Sequence, residues 1–287
     1  MRVIERCCRG KRADQSLNED GLVLTDGFAA VVDGVTSKSV RRLWRPSGGV
    51  VAKNLLLEAI ADLPADATMR QVQTMLDGRL RAQYAAIGDD AALFEREPWE
   101  RLQANAVVYS AYRREAWLFG DCQIMVNGVA TPTVKCVDVL FGELRSFAAQ
   151  ALALECGPSD GADYGGAVGT DHRAVGTGDD PARAMILPFL RLQSRFANRR
   201  GEYGYFVFDG FTDPTYPIRT VSVSPGDDVV LASDGYPLLR PTLAESEREL
   251  DHLRRDDPRL IREYRTTKGF TPGQESFDDR TYLRFVV

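Results

Sequence analysis

An α+β protein, built of antiparallel sheets flanked by helices, is what the order of apolar runs in these 287 residues predicts. Three observations carry this. Short apolar runs of strand length come in groups joined by turn signals, as in Gly21–Thr25, Asp26-Gly27 and Phe28–Val32. Stretches with a helical period follow back to back, not singly between strands. The regular strand–helix–strand rhythm of a parallel sheet is absent. No internal repeat or linker interrupts the chain, so residues 1–287 read as one domain.

In order, Arg2–Cys8 is a strand, and Arg9–Ser16 is a basic, glycine-containing loop. Gly21–Thr25 and Phe28–Val32 form a hairpin about Asp26-Gly27. From Gly49 the period changes: Val50, Leu55, Leu56, Ala59, Ile60 and Leu63 lie along one helix that ends at Pro64. Thr68 caps a second helix bearing Val72, Met75, Leu76, Leu80 and Tyr84. Ala106–Tyr112 and Ala116–Gly120 make another hairpin, and Gln123–Val126, with a turn at Asn127-Gly128, extends the meander. Val137–Leu154 is helical. Gly157–Asp180, rich in Gly and Asp, is a long surface loop, and Pro181 opens a helix to about Arg199. Tyr203–Phe208, Ile218–Val223 and Asp228–Ala232 are strands, Glu245–Arg265 is a charged helix broken near Pro258, and Arg280–Val287 is the closing strand.

Composition excludes several classes of function. With 36 Lys and Arg against 41 Asp and Glu, the net charge of −5 gives no field for gripping nucleic acid. At 44% hydrophobic and 27% charged, the chain is neither disordered nor fibrous. No apolar run approaches the ~18 residues of a membrane span, and the N-terminus lacks a signal-peptide core, so a soluble, cytoplasmic, monomeric protein is expected. The five cysteines (7, 8, 122, 136 and 156) contain no C-x-x-C, and Cys7-Cys8 read as free thiols. Two histidines, His172 and His252, are too few for a His-rich zinc site, and no P-loop is present. Attention falls on the acids.

Single carboxylates sit at strand edges throughout. Asp33 follows Phe28–Val32 and precedes Gly34; Asp234 follows Val229–Ser233 and precedes Gly235. Asp121 ends Ala116–Gly120, Asp278-Asp279 precede the last strand, and Asn18-Glu19-Asp20 precede Gly21–Leu24. A sheet rim holds such groups rigidly, as a metal site requires. Asp-Gly after a strand is also an ordinary turn, and Asp26-Gly27, Asp160-Gly161 and Asp209-Gly210 read as turns. Carboxylates gathered in one cleft repel one another, and all-oxygen ligation selects Mg²⁺ or Mn²⁺. Two such ions, roughly 3.5–4 Å apart, can activate a bridging water for attack on phosphorus.

The ordered set Asn18-Glu19-Asp20, Val31-Val32-Asp33-Gly34, Gly120-Asp121-Cys122, Ala232-Ser233-Asp234-Gly235 and Asp278-Asp279-Arg280-Thr281 resembles the PP2C-type (PPM) metal-dependent serine/threonine protein phosphatases, from about residue 15 to the C-terminus. Gly48-Gly49-Val50-Val51-Ala52 is similar to the start of that family's first helix. The resemblance implies a four-layer α/β/β/α sandwich of two antiparallel sheets flanked by helix pairs. It implies a phosphomonoesterase acting on phosphoserine or phosphothreonine through water bridging two Mn²⁺ or Mg²⁺ ions. By the same resemblance Asp33 would bridge both ions, with the Gly34 carbonyl as a further ligand. Asp234 and Asp278 would complete one metal, Glu19 and Asp20 would orient waters on the other, and Asp121 with Asp234 would hold a weaker third.

Departures from the family pattern are specific. Val35-Thr36-Ser37-Lys38 stands where the family has His or Met and two glycines, which leaves leaving-group protonation to water. Cys122 replaces a serine and reads as a packing residue. Gln15 stands where many members have a phosphate-binding Arg, and Arg12 is the candidate to take over that role. The stretch between Asp121 and Asp234 matches least, with Thr170-Asp171-His172 only a faint echo. A small phosphorylated metabolite as substrate and a non-catalytic binding protein of the same fold are the alternatives. A haloacid-dehalogenase mechanism ranks below both, because it needs an Asp nucleophile where Val31 stands.

Overall fold

The computed structural model describes residues 1–87, 91–155 and 180–287. Ten strands form two antiparallel five-stranded sheets. The first sheet has the order β1-β10-β9-β6-β7, from β1 (Arg2–Arg9), β10 (Arg280–Val286), β9 (Asp228–Ala232), β6 (Gln123–Val126) and β7 (Val129–Thr131). The second has the order β2-β3-β4-β5-β8, from β2 (Asp20–Leu24), β3 (Phe28–Gly34), β4 (Ala104–Ser110), β5 (Glu115–Phe119) and β8 (Arg219–Ser222). The predicted α+β class with two antiparallel sheets is what the chain forms.

Period-two burial builds the sandwich. In β3, Ala29 and Val31 face the other sheet and meet Leu231, Leu283 and Phe285, while Phe28, Ala30 and Val32 face outward onto helices. Those helices are α1 (Gly48–Ala61) and α2 (Met69–Ala86), which contribute Ala52, Leu56, Ile60, Val72, Leu76 and Leu80. Both have capped starts: Ser47 Oγ accepts from Val50 N, and Thr68 forms a capping box with Gln71. The outer face of the first sheet, through Met125, Val230 and Tyr282, packs on Tyr236, Leu239 and Leu243, the first residue of α6 (Leu243–Asp256). A short α3 (Ala91–Arg96) precedes β4. The pair α4 (Cys136–Glu155) and α5 (Pro181–Leu192) packs together with Val35, Tyr205 and Val207 beside the cleft described below.

Three expectations need correction. Gln123–Val126 does not extend the meander: Gly120, at φ +105°, turns the chain, and β6 joins β9 in the other sheet. Tyr203–Phe208 is no strand. It alternates in burial, with Phe206 and Phe208 toward α1 and α2 and Tyr205 and Val207 toward α4 and α5, but it pairs only through isolated bridges to Ala104 and Ala197. The charged stretch Glu245–Arg265 breaks near Pro258 as expected, since Asp257 precedes the proline and leaves helical geometry, but the helix does not resume after the break. The Asp257 carboxylate then accepts from the backbone N–H groups of Ile261, Arg262 and Glu263. Gly157–Asp179, including Thr170-Asp171-His172, lies outside the described residues, as does Cys156.

The loop after α6 is fastened to α4 by Arg145, which is 1% exposed. Its guanidinium donates to Asp180 Oδ2 at 2.5 and 2.9 Å and to the carbonyls of Arg259, Leu260 and Thr266. Arg145→Met strands those acceptors, although Asp180 is partly open to water. We expect a loss of about 2–3 kcal/mol in urea unfolding; an unchanged midpoint would show that the loop holds itself.

Candidate active site

Strand register brings the first two acids together. Asp33 lies opposite Asp20 across β2–β3 and opposite Asn105 across β3–β4. The next residue, Gly34, has no room for a side chain: a Cβ there would lie 2.1 Å from the Gly49 carbonyl oxygen, so α1 starts directly against the strand end. On the other sheet Asp234 follows β9 and Asp278 precedes β10, and these strands are neighbours. Ser233 joins the sheets. Its Oγ donates to Asp20 Oδ2 at 2.5 Å and accepts from Thr281 N, and its own N–H donates to the Thr281 carbonyl. The acids at both sheet ends therefore border one cleft.

That cleft has a volume of about 600 Å³. Asp33, Gly34, Asp121, Asp234 and Asp278 line it, and Lys38, Lys135, Arg183 and Lys268 form a basic wall beside them. Glu19 and Asp20 are buried and lie outside the lining. Glu19 accepts from the hydroxyls of Thr36 at 2.6 Å and Ser47 at 2.7 Å, and Asp20 is held by Ser233. Arg12 is exposed and does not line the cleft. Its neighbour Lys11 is the buried cation: Nζ lies 3.0 Å from Asp278, 3.2 Å from Asp279 and 3.6 Å from Glu19. Lys268 also contacts Asp278, and Lys135 Nζ is 2.6 Å from Asp121.

The electrostatics divide the acids into two groups. Burial, then the charges of Asp234, Asp20 and Asp121, raises Asp33 well above the usual carboxylate range. Asp20 is raised by burial and by Asp278 and Asp279 against the opposing Ser233 bond. Asp234 is pushed up to about 7 by its seat in the cleft and by Asp121 and Asp278. Its side chain is open to solvent at the cleft mouth, beside the like charges of Asp121 and Asp278. Asp278 goes the other way: burial opposes ionisation there, but Lys268 and Lys11 outweigh it. Cys122 sits in the core between the sheets with its thiol pushed up by burial, as a packing residue should.

Among the described residues the carboxylates of Asp33 and Asp234 have neither a hydrogen bond nor an ion pair, and Asp121 Oδ1 is buried without a partner. Uncompensated oxygens of this kind fit a hard divalent cation. No three His, Cys, Asp or Glu side chains of the described residues close on one point as a finished cage. Asp278, expected as a ligand, is committed to two lysines.

Lys11, Lys135 and Lys268 went unnoticed as site residues, because lysines 11 and 268 lie 257 positions apart and carry no local spacing signal. Asp209-Gly210 bends the chain as its sequence suggests, with Gly210 at φ +79°, but Asp209 is also fully buried and pairs with Arg101 at 2.8 Å. Gly157-Pro158-Ser159-Asp160-Gly161 has the G-x-S-x-G spacing of a nucleophile elbow, so that motif is present in the sequence; it lies outside the described residues.

No family model and no curated protein matches the chain. Among solved structures it is similar to the catalytic domain of the serine/threonine protein phosphatase PstP with two manganese ions, at 19% identity and a TM-score of 0.44, covering 99% of this chain and 98% of that one. It is similar to the PPM Ser-Thr phosphatase MsPP from Mycobacterium smegmatis in complex with cacodylate, at 13% identity and 0.47, with 100% of both chains covered. It is also similar to RsbX in complex with magnesium, at 10% identity and 0.44, covering 98% and 96%.

Proposed function

We propose that this chain is a metal-dependent phosphomonoesterase, acting on phosphoserine or phosphothreonine in proteins. The observation that carries the reading is the pair Asp33 and Asp234, brought to one cleft from two different sheets with carboxylates that have no partner among the described residues, beside a basic wall. Asp33 and Asp234 would hold the divalent cation, with Asp121 Oδ1 as a further oxygen and the Gly34 carbonyl at the cleft edge. A bound Mn²⁺ or Mg²⁺ supplies Lewis acidity and neutralises charge near the phosphoryl group. The protein supplies position. The β2–β3–β4 ladder fixes Asp33, the Ser233 links fix Asp234, and Glu19, tied to Thr36 and Ser47, braces the entry to α1. Among the described residues no histidine lines the cleft, and in this reading water protonates the leaving oxygen.

A specific observation also favours a second reading, a non-catalytic protein that binds phosphorylated partners: Lys11 and Lys268 already neutralise Asp278. Release of phosphate from phosphopeptides, sugar phosphates and an aryl phosphate, with Mn²⁺, Mg²⁺ or chelator, separates the readings. We expect metal-dependent release, highest on phosphopeptides. Preference for a sugar phosphate would move the substrate to a small metabolite, and phosphopeptide binding without release would establish the binding role.

A further inference from the structure

Among the basic side chains lining the cleft, two have no carboxylate partner among the described residues. Lys11, outside the lining, and Lys135 and Lys268 in it are spoken for by Asp278, Asp279, Glu19, Asp121 and Asp138. Lys38 makes no hydrogen bond or ion pair with any described residue. Arg183, on the first turn of α5, gives its side chain to the Thr267 carbonyl and to no carboxylate. Arg183 is the strongest charge acting on Lys38, with Lys268 and Lys135 adding to it and Asp138 opposing. A cation turned into a cleft among other cations loses hydration, and their repulsion adds to that cost. Burial and these neighbours push Lys38 down to about 8.

Uncompensated positive charge beside uncompensated negative charge is a division of labour. The Asp33–Asp234 side suits a metal, and the Lys38–Arg183 side suits an anion with several oxygens. Lysine contributes a point charge and arginine a planar fork of donors, the pair of groups that suits a phosphoryl dianion. We propose that Lys38 and Arg183 form the phosphoryl-binding subsite of the cleft, in place of the exposed Arg12. The subsite deepens the phosphatase reading and rests on it for its substrate, a phosphate monoester; its affinity for inorganic phosphate stands apart from turnover. Lys38 lies in the segment where the sequence departs from the family pattern, which gives that departure a use.

The test is calorimetric titration of the full chain in Mg²⁺ with inorganic phosphate, alongside aryl phosphate kinetics, for the wild type, Lys38→Met, Lys38→Arg and Arg183→Met. The methionine variants should weaken phosphate binding tenfold or more and raise KM more than they lower kcat, with partial recovery in Lys38→Arg. The melting temperature of Lys38→Met should not fall, since the substitution relieves repulsion; this separates a binding role from a structural one. Phosphate binding weakened by Lys38→Met in a protein that hydrolyses nothing would uphold the subsite and sink the enzyme reading. Turnover with the same KM and the same phosphate affinity in Lys38→Met would sink the subsite and leave the enzyme. A wild type that binds no phosphate at tens of millimolar overturns the proposal outright.

Discussion

Asp33→Asn and Asp234→Asn should each lower metal-dependent hydrolysis of an aryl phosphate by about a thousandfold or more, which is roughly 4 kcal/mol of barrier. Amide for carboxylate keeps the shape and removes the charge that a divalent cation needs. Each variant should remain folded. Without metal, the substitutions should even help near neutral pH, because Asp33 and Asp234 face other carboxylates and no cation of the described residues contacts them. The sign follows from proton uptake. Asp234 binds its proton more tightly folded, up to about 7, than at its ordinary 3.8. Its protonation therefore favours the folded state below pH 4, and that benefit fades as pH rises to about 7. Asp278 has the opposite sense: its lysine pairs stabilise above pH 4 and fail in acid. In chelator, thermal stability should decline from pH 4 toward 7, with a shallower decline in Asp234→Asn. A wild-type stability that rises over that range would contradict the picture of uncompensated acids.

Lys11→Met should be the most destabilising single substitution near the site. Lys11 is 8% exposed and its ammonium is shared by Glu19, Asp278 and Asp279. Asp279 in turn accepts the backbone N–H groups of Lys11 and Glu19, so the network ties the loop before β2 to the start of β10. Removing the cation leaves buried carboxylates facing one another, a defect of about 3–5 kcal/mol. Urea unfolding in chelator measures it, and Mn²⁺ should restore part of the loss by entering the vacated acidic space. A loss under about 1 kcal/mol would mean that Lys268 alone neutralises Asp278.

These two expectations mark what the sequence could and could not disclose. Asp33 and Asp234 were legible because each ends an apolar run of strand length and precedes a glycine, a local pattern. The antiparallel sheets were legible for the same reason: period-two burial and turn residues are written within a few positions of one another. Which sheet β6 joins was not, because that choice is made by the +105° φ at Gly120 and by pairing with β9, about a hundred residues away. Tyr203–Phe208 misled because alternate burial between two helix clusters imitates a strand. The lysines of the site were invisible because ion pairs such as Lys11–Asp278 span almost the whole chain. Arg12 drew notice as a charge in the right loop, yet the neighbouring side chain turned inward.

The most direct measurement is a Mn²⁺ titration followed by electron paramagnetic resonance, on the wild type and on the Asp33→Asn/Asp234→Asn double variant. The account predicts saturable binding to the wild type and its loss in the double variant. Equal binding by both proteins, or none by the wild type at millimolar Mn²⁺, would contradict the claim that Asp33 and Asp234 hold the metal.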